Sequence, residues 1–298
     1  MTNCLRSILS LFILTAFFLL SPMAAFASSE AAALAASDGL ADYQGSAIIF
    51  VTGDGSRKNV MLYEPGAESP VVLAGQKGVM ETQPTLGPKG ETAWVRRNGQ
   101  NWDLLRNGQV VSSGELHLSP AFRPDGALVA AISGEKDTSI YIFSGKTPSL
   151  LVQGKGLAVS PSFSPDGRKL AYVSNESGDG QIYVANSDGS NPRLLTPSTV
   201  RNTDPTWSPD GSLIVFVTNE TDISIVNPDG SGLRRLTKNQ GVNRHPSFSP
   251  DGRKIVFSSD RDGLSKLYVM NADGSGQKVL LPSLKESQHA PHWGPVAP

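Results

Sequence analysis

Four histidines stand in the chain, and three of them lie within three residues ahead of a recurring proline: His117 before Pro120, His245 before Pro246 and His289 before Pro291. The fourth, His292, directly follows Pro291. The matching positions of other copies carry Glu81, Gln83, Asn202, Asp204, Asn243 and Arg244, with Arg201 alongside. Imidazole, carboxylate and guanidinium gathered at one mouth suit three chemistries: binding a peptide segment, binding an acidic ligand, or holding a metal. For a metal the candidate ligands are His117, Asp204, His245 and His289, but they are far apart in sequence and lack the short spacing of zinc sites. No Gly-x-Ser-x-Gly elbow, P-loop or His-Glu-x-x-His motif occurs. An enzyme cradling a sugar would need an acid/base pair and aromatics, yet the mouth segments carry only Glu81 and Asp204 as carboxylates and few aromatic rings. Binding is therefore the favoured chemistry. The candidate partner-binding set is His117, Arg201, Asp204, Arg244, His245 and His289, with no catalytic residue, resident metal or cofactor expected.

These residues are brought together by a repeat. Pro-Ser-Phe-Ser-Pro-Asp-Gly spans 161–167 and returns at 246–252, with Pro-Thr-Trp-Ser-Pro-Asp-Gly at 205–211. Looser copies are Pro-Ala-Phe-Arg-Pro-Asp-Gly at 120–126 and Pro-Thr-Leu-Gly-Pro-Lys-Gly at 84–90, and Pro-His-Trp-Gly-Pro closes the series at 291–295. The leading prolines are spaced by 36, 41, 44, 41 and 45 residues, a period that marks a repeat architecture. Within one copy, Pro165-Asp166-Gly167 makes a tight turn. Lys169 to Ser174, Gln181 to Asn186 and Arg193 to Thr196 read as strands split by Gly-rich and Asp-Gly turns. Four such strands make an antiparallel sheet that cannot bury both faces alone, so the units must stack radially.

The expected fold is all-β: a six-bladed β-propeller of four-stranded antiparallel blades. Six second strands are expected, at Ala47–Thr52, Thr92–Arg97, Leu128–Ser133, Lys169–Ser174, Leu213–Thr218 and Lys254–Ser259. The first unit lacks an innermost strand, and the tail His289 to Val296 has one to spare, so the tail is expected to complete blade one and close the circle. Asp125, Asp166, Asp210 and Asp251 are read as turn-stabilising carboxylates, and Phe122, Phe163, Trp207, Phe248 and Trp293 as inter-blade packing. Strand direction puts the Pro-Asp-Gly turns on one face. The loops leading into each inner strand, and with them the polar residues above, lie on the other.

Ahead of the repeats, Ile8 to Leu20 is an apolar run too short to span a bilayer comfortably, and Ala25-Phe26-Ala27 presents the small residues a signal peptidase reads. Residues 1–27 are thus expected to be a signal peptide, 28–45 a flexible lead-in and 46–298 the propeller. The product is then periplasmic or secreted, a monomer, with no membrane span after cleavage. Cleavage removes Cys4, the one cysteine, and Arg6, so the 26 Lys and Arg fall to 25 against 27 Asp and Glu. That balance, with no basic stripe, argues against nucleic acid as a partner.

Pro-x-[Phe/Trp]-Ser-Pro-Asp-Gly, the strand Lys254–Ser259, Asp260-Arg261-Asp262-Gly263, Leu267–Asn271 and Asp273-Gly274 together resemble the repeat of the TolB-type β-propeller family. The likeness is good over about 120–296 and looser over 46–119. It implies an exported, non-catalytic propeller that binds an envelope protein or peptide at its channel mouth, such as a peptidoglycan-associated lipoprotein, in a role in envelope protein interaction or transport. TolB-type proteins carry an α/β domain ahead of the propeller, whereas only residues 28–45 separate the expected cleavage site from the first blade here. Related repeats also occur in polysaccharide lyases and peptidase gating domains. The alternative reading is therefore a metal-assisted carbohydrate lyase or hydrolase with a histidine-lined central site.

Overall fold

The computed structural model describes residue 40 and residues 43–54, 57–145 and 147–296. The expected signal peptide and most of the expected lead-in lie outside the described residues. Among the described residues no helix is long and apolar enough to cross a membrane.

Every regular element described is a β-strand. The unit read from the sequence is visible at 158–194. Its strands Ala158–Phe163, Lys169–Ser174, Gln181–Asn186 and Arg193–Leu194 pair in order and antiparallel. Sheets of the same design begin at the innermost strands Asn202–Trp207 and Asn243–Phe248, and a further four-stranded sheet begins at Leu116–Phe122. The strands of 46–113 belong to one eight-stranded sheet, because a single parallel bridge, Lys58 to Met80, joins two four-stranded antiparallel parts. In the first part the last strand of the chain, Gln288–Pro295, pairs antiparallel with Ser46–Asp54, from Ser46 opposite Pro295 to Thr52 opposite Gln288.

The strands Leu128–Ser133, Lys169–Ser174 and Lys254–Ser259 have the bounds expected from the sequence. The outermost strand of the 158–194 unit is shorter than expected. It stops at Leu194 because the Thr196 hydroxyl takes the Ile182 N–H in place of a ladder carbonyl. Thr237 does the same for Ile223 one unit later.

Apolar side chains on the two faces of each sheet meet those of the next sheet. Val215, Ile223 and Ile225 pack against Phe248, Ile255 and Phe257. Ala171, Ile182 and Val184 pack against Trp207, Ile214 and Phe216. Val256, Leu267 and Val269 of the last unit pack against Ile48, Phe50, Met61 and Trp293 of the first. Each fully buried Phe or Ile contributes about 1.5–3 kcal/mol by leaving water. Leu40 and Tyr43, from the end of the lead-in, are buried in that last cluster. The Tyr43 ring packs tilted against Trp293, centroids 4.8 Å apart, and the Trp293 indole N–H reaches Ser46 Oγ (3.1 Å).

One local feature recurs at each innermost strand. The residue before the repeat proline is left-handed: Gln83, Ser119, Ser160, Asp204, His245 and Ala290 have φ between 47° and 53°. At each, the register to the second strand slips, for example between Val159 and Ser162, Thr203 and Thr206, and Arg244 and Ser247. Proline has no N–H to give the ladder, and a bulge is the arrangement that tolerates the missing bond. A left-handed conformation costs a residue with a Cβ roughly 1–2 kcal/mol. Ala290, which has no side-chain polar group to offset that cost, is the position where glycine should help. Ala290→Gly is expected to raise the thermal midpoint by about 2–4 °C, and Ser160→Val to lower it. Calorimetry of the two variants checks both signs.

Candidate functional site

The three residues before each repeat proline fall in three different environments. The first of the three is buried in every copy: Glu81, His117, Ala158, Asn202, Asn243 and Gln288 are at most 3% exposed. Three of them, the amides Asn202, Asn243 and Gln288, bond neighbouring side chains and backbone there. Asn202 Nδ2 donates to Gln181 Oε1 (2.8 Å), Asn243 Nδ2 to the Thr221 carbonyl (2.8 Å), and Gln288 Oε1 accepts the Leu267 N–H (3.0 Å). Their recurrence reflects loop anchoring, which explains why a ring of polar types was visible in the sequence without being a ring in space.

His117 belongs to this buried layer. Its Nε2 lies 2.9 Å from Ser112 Oγ, its ring tilts against Phe143, and its Nδ1 has no partner. Burial lowers its pKa, opposed by the Glu115 charge. The structure therefore separates His117 from the mouth residues it was grouped with. Arg201 is exposed and pairs with Glu220 at 3.3 Å.

The second position of each triplet carries Thr82, Leu118, Val159, Thr203, Arg244 and His289. Arg244 is exposed, and among the described residues its guanidinium has no hydrogen-bond or ion-pair partner. Beside it in sequence, His245 has a buried Nδ1 without a partner. His289 is half-buried. Its pKa is lowered by burial first, then by the charges of Lys58 and His245. Lys58, His245 and His289 are thus neighbours with no acid acting on His289, an electropositive edge formed by the last unit and the C-terminal strand. Lys58 was not singled out in the sequence, because it stands on the third strand of the first unit, outside the repeated motif.

The third position lines a central cavity of about 520 Å³. The walls run from this left-handed residue to the proline of Pro-Asp-Gly, so the cavity extends toward the turn face, opposite the mouth expected from the sequence. At its inner end hydrogen bonds link neighbouring strands: Gln83 Oε1 accepts the Ser119 N–H (2.9 Å), Ser119 Oγ and Ser160 Oγ are 3.4 Å apart, and Ser160 Oγ reaches Asp204 Oδ1 at 3.5 Å. Asp204 and His245 are the sequence-predicted site residues on this lining, and among the described residues Asp204 is its one carboxylate.

Two residues after the inner end, side chains of four inner strands tie each of these to the next. Ser162 Oγ accepts the Trp207 N–H (3.3 Å), Ser247 Oγ accepts the Trp293 N–H (3.0 Å), and Thr206 Oγ1 donates to the Pro246 carbonyl (3.0 Å). His292 takes this place in the C-terminal strand, with Nδ1 accepting the Leu86 N–H at 3.2 Å. Burial drives its pKa down to about 4, so at neutral pH the ring is neutral and its proton sits on Nε2. Among the described residues no group of three or more His, Cys, Asp or Glu side chains is placed to hold a metal ion.

The depressed His292 has a consequence for stability. Unfolded, it binds a proton near pH 6.5; folded, only near 4. The unfolded state therefore gains protons first as pH falls, and stability is lost between about pH 6.5 and 4. The thermal midpoint of the wild type is expected to drop across that window. His292→Gln should flatten the drop, and an unchanged slope in the variant would contradict the assignment.

A family model described as the TolB beta propeller domain matches residues 100–222 and 217–296. No curated protein matches the sequence. Among solved structures, TolB from Acinetobacter baumannii superposes with a TM-score of 0.74 at 22% identity, over 85% of this chain and 67% of that one. A putative TolB from Agrobacterium tumefaciens gives 0.61 at 21% identity, over 84% and 99%. Hydrazine synthase from Kuenenia stuttgartiensis gives 0.70 at 14% identity, over 85% and 47%. At these identities the structural likeness establishes the fold alone.

Proposed function

Since the chain belongs to the TolB beta propeller domain family, we propose that it is an exported, non-catalytic propeller that binds a protein or peptide partner at the loop-face mouth of its channel. In this reading the propeller is six-bladed, and the Gln288–Pro295 strand closes the first blade. The protein is a periplasmic monomer and serves envelope protein interaction or transport. The partner class follows from the resemblance: an envelope protein such as a peptidoglycan-associated lipoprotein, or a peptide segment of one.

The observation that carries the proposal is the uncompensated charge at the mouth. Arg244 is exposed and unpaired, next to His245 with its orphaned Nδ1 and near Lys58 and His289. Most other arginines on the described surface have an acid or a carbonyl, as Arg96 has Asp103, Arg235 has Asp222 and Arg193 has the Pro228 carbonyl. A cation left unpaired beside half-buried imidazoles gives a partner's polar segment groups to bond, and such groups contribute to specificity at interfaces. The metal-assisted alternative gains nothing comparable, since Glu81 is buried beside Trp94 and Arg96 of its own unit and His117 lies apart from the other histidines.

Binding of the purified chain to the peptidoglycan-associated lipoprotein of the same envelope, read by surface plasmon resonance, tests the proposal. The double variant Arg244→Ala/His245→Ala is expected to weaken binding at least about tenfold, the loss expected for charge-assisted contacts. Undiminished binding by a folded double variant would sink the mouth assignment.

A further inference from the structure

The central cavity carries one charge of each sign, at opposite ends. Asp204 stands at the inner end. Its only partner is Ser160 Oγ at 3.5 Å, and no cation pairs with it among the described residues. Arg123 stands toward the turn face, on another unit, and is the only Lys or Arg on the lining among the described residues. Arg123 breaks the repeat. Where it stands, three copies have Ser164, Ser208 and Ser249, each bonded to its turn aspartate (2.6–2.7 Å). The guanidinium instead lies over the Phe163 ring and 3.4 Å from the largely exposed Asp125, and its Nε is buried with no partner.

The wall between these charges is poor in backbone donors, because each inner strand with the turn that follows it contributes two prolines to it. Side chains supply what donors there are. Ser162 and Ser247 accept an N–H from the next unit through their oxygens, which leaves each hydroxyl hydrogen free. His292, anchored through Nδ1, keeps its Nε2 proton for the cavity it lines. The rest of the wall is proline ring and aromatic edge.

We propose that this cavity is a binding site for short zwitterionic peptides, with the ammonium end on Asp204, the carboxylate on Arg123, and main-chain carbonyls on Ser162, Ser247 and His292. From the level of Asp204 to that of Arg123 is four residues along an inner strand, about 13 Å at 3.3 Å per residue. An extended peptide of three or four residues has that span between its charged ends. Proline walls favour small apolar side chains over long ones. The site shares His245 with the mouth proposed for the protein partner, but Arg123 belongs to the cavity alone and Arg244 to the mouth alone, so single variants at these two let the readings fail separately.

Isothermal titration calorimetry of the full mature chain with L-trialanine, N-acetyl-trialanine and trialanine amide is the test. Trialanine is expected to bind one to one. Blocking either end should weaken it about tenfold, as loss of one charge-assisted bond does. In Arg123→Gln the amide and the free acid should bind alike. In Asp204→Asn the acetylated and free amines should bind alike. Both variants should stay folded, since Asp204→Asn keeps an acceptor for Ser160 and Arg123→Gln gives up only the contacts with Phe163 and the largely exposed Asp125, and a thermal melt of each checks this. No heat with millimolar trialanine or tetraalanine, or binding that ignores both end-blocks and both variants, would overturn the proposal. Loss of lipoprotein binding in Arg244→Ala would leave these titrations unchanged.

Discussion

A proline cannot donate a hydrogen bond to a strand ladder, and the consequences of that missing donor organise this protein. At each innermost strand the residue before the repeat proline turns left-handed, the pairing slips, and the strand bulges. The bulge changes which way side chains point. The residue two before it is buried in the sheet stack, and the left-handed residue itself is delivered to the cavity. The small side chain two residues further on bridges to the neighbouring strand. One backbone irregularity thus sets the loop anchors, the cavity lining and the contacts between units.

That single cause also explains what could be read from the sequence. The motif Pro-Ser-Phe-Ser-Pro-Asp-Gly carries its turn chemistry openly, so strands such as Lys169–Ser174 and Lys254–Ser259 were legible to the residue. Asp166, Asp210 and Asp251 do what turn aspartates do. Each accepts a serine hydroxyl and a backbone N–H two residues on, which holds its pKa below the ordinary carboxylate value. Phe163, Trp207 and Phe248 pack between units as their period implied. The site was legible only in part. Side-by-side alignment of the triplets treats three successive residues as one ring, but the bulge sends them to different places. His117 therefore went inside, while Asp204 and His245 reached the cavity. Arg123 was visible as a departure from the serine of its neighbours, yet a departure in a worn copy looks like drift until the space it borders is known. Lys58 could not be placed at all from a repeat it does not belong to.

The charges divide between the two ends of the channel. Cations gather where the last unit meets the C-terminal strand on the loop face. On the other side, a proline-walled cavity holds one acid and one base far apart. Neutral serine hydroxyls and a neutral imidazole line the space between, so ligands entering there meet directional hydrogen bonds instead of a broad field. Partner recognition at the mouth and small-ligand capture in the cavity would draw on different physics: long-range and salt-sensitive in one, short-range and geometric in the other.

The pairing of Gln288–Pro295 with Ser46–Asp54 also bears on how the protein acquires its fold. The sheet that begins the chain has no innermost strand until the chain's last strand arrives, a separation of more than two hundred residues. Bringing such distant segments together costs loop-closure entropy before any contact rewards it, and folds rich in such contacts form slowly. The middle units can form from local strands as they emerge. The first unit waits with an edge open, and with it wait Tyr43 and Ser46, whose partner Trp293 lies in that last strand. This pairing is therefore expected to form late, and a chain shortened within Gln288–Pro295 would leave Ser46–Asp54 with an unpaired edge as well.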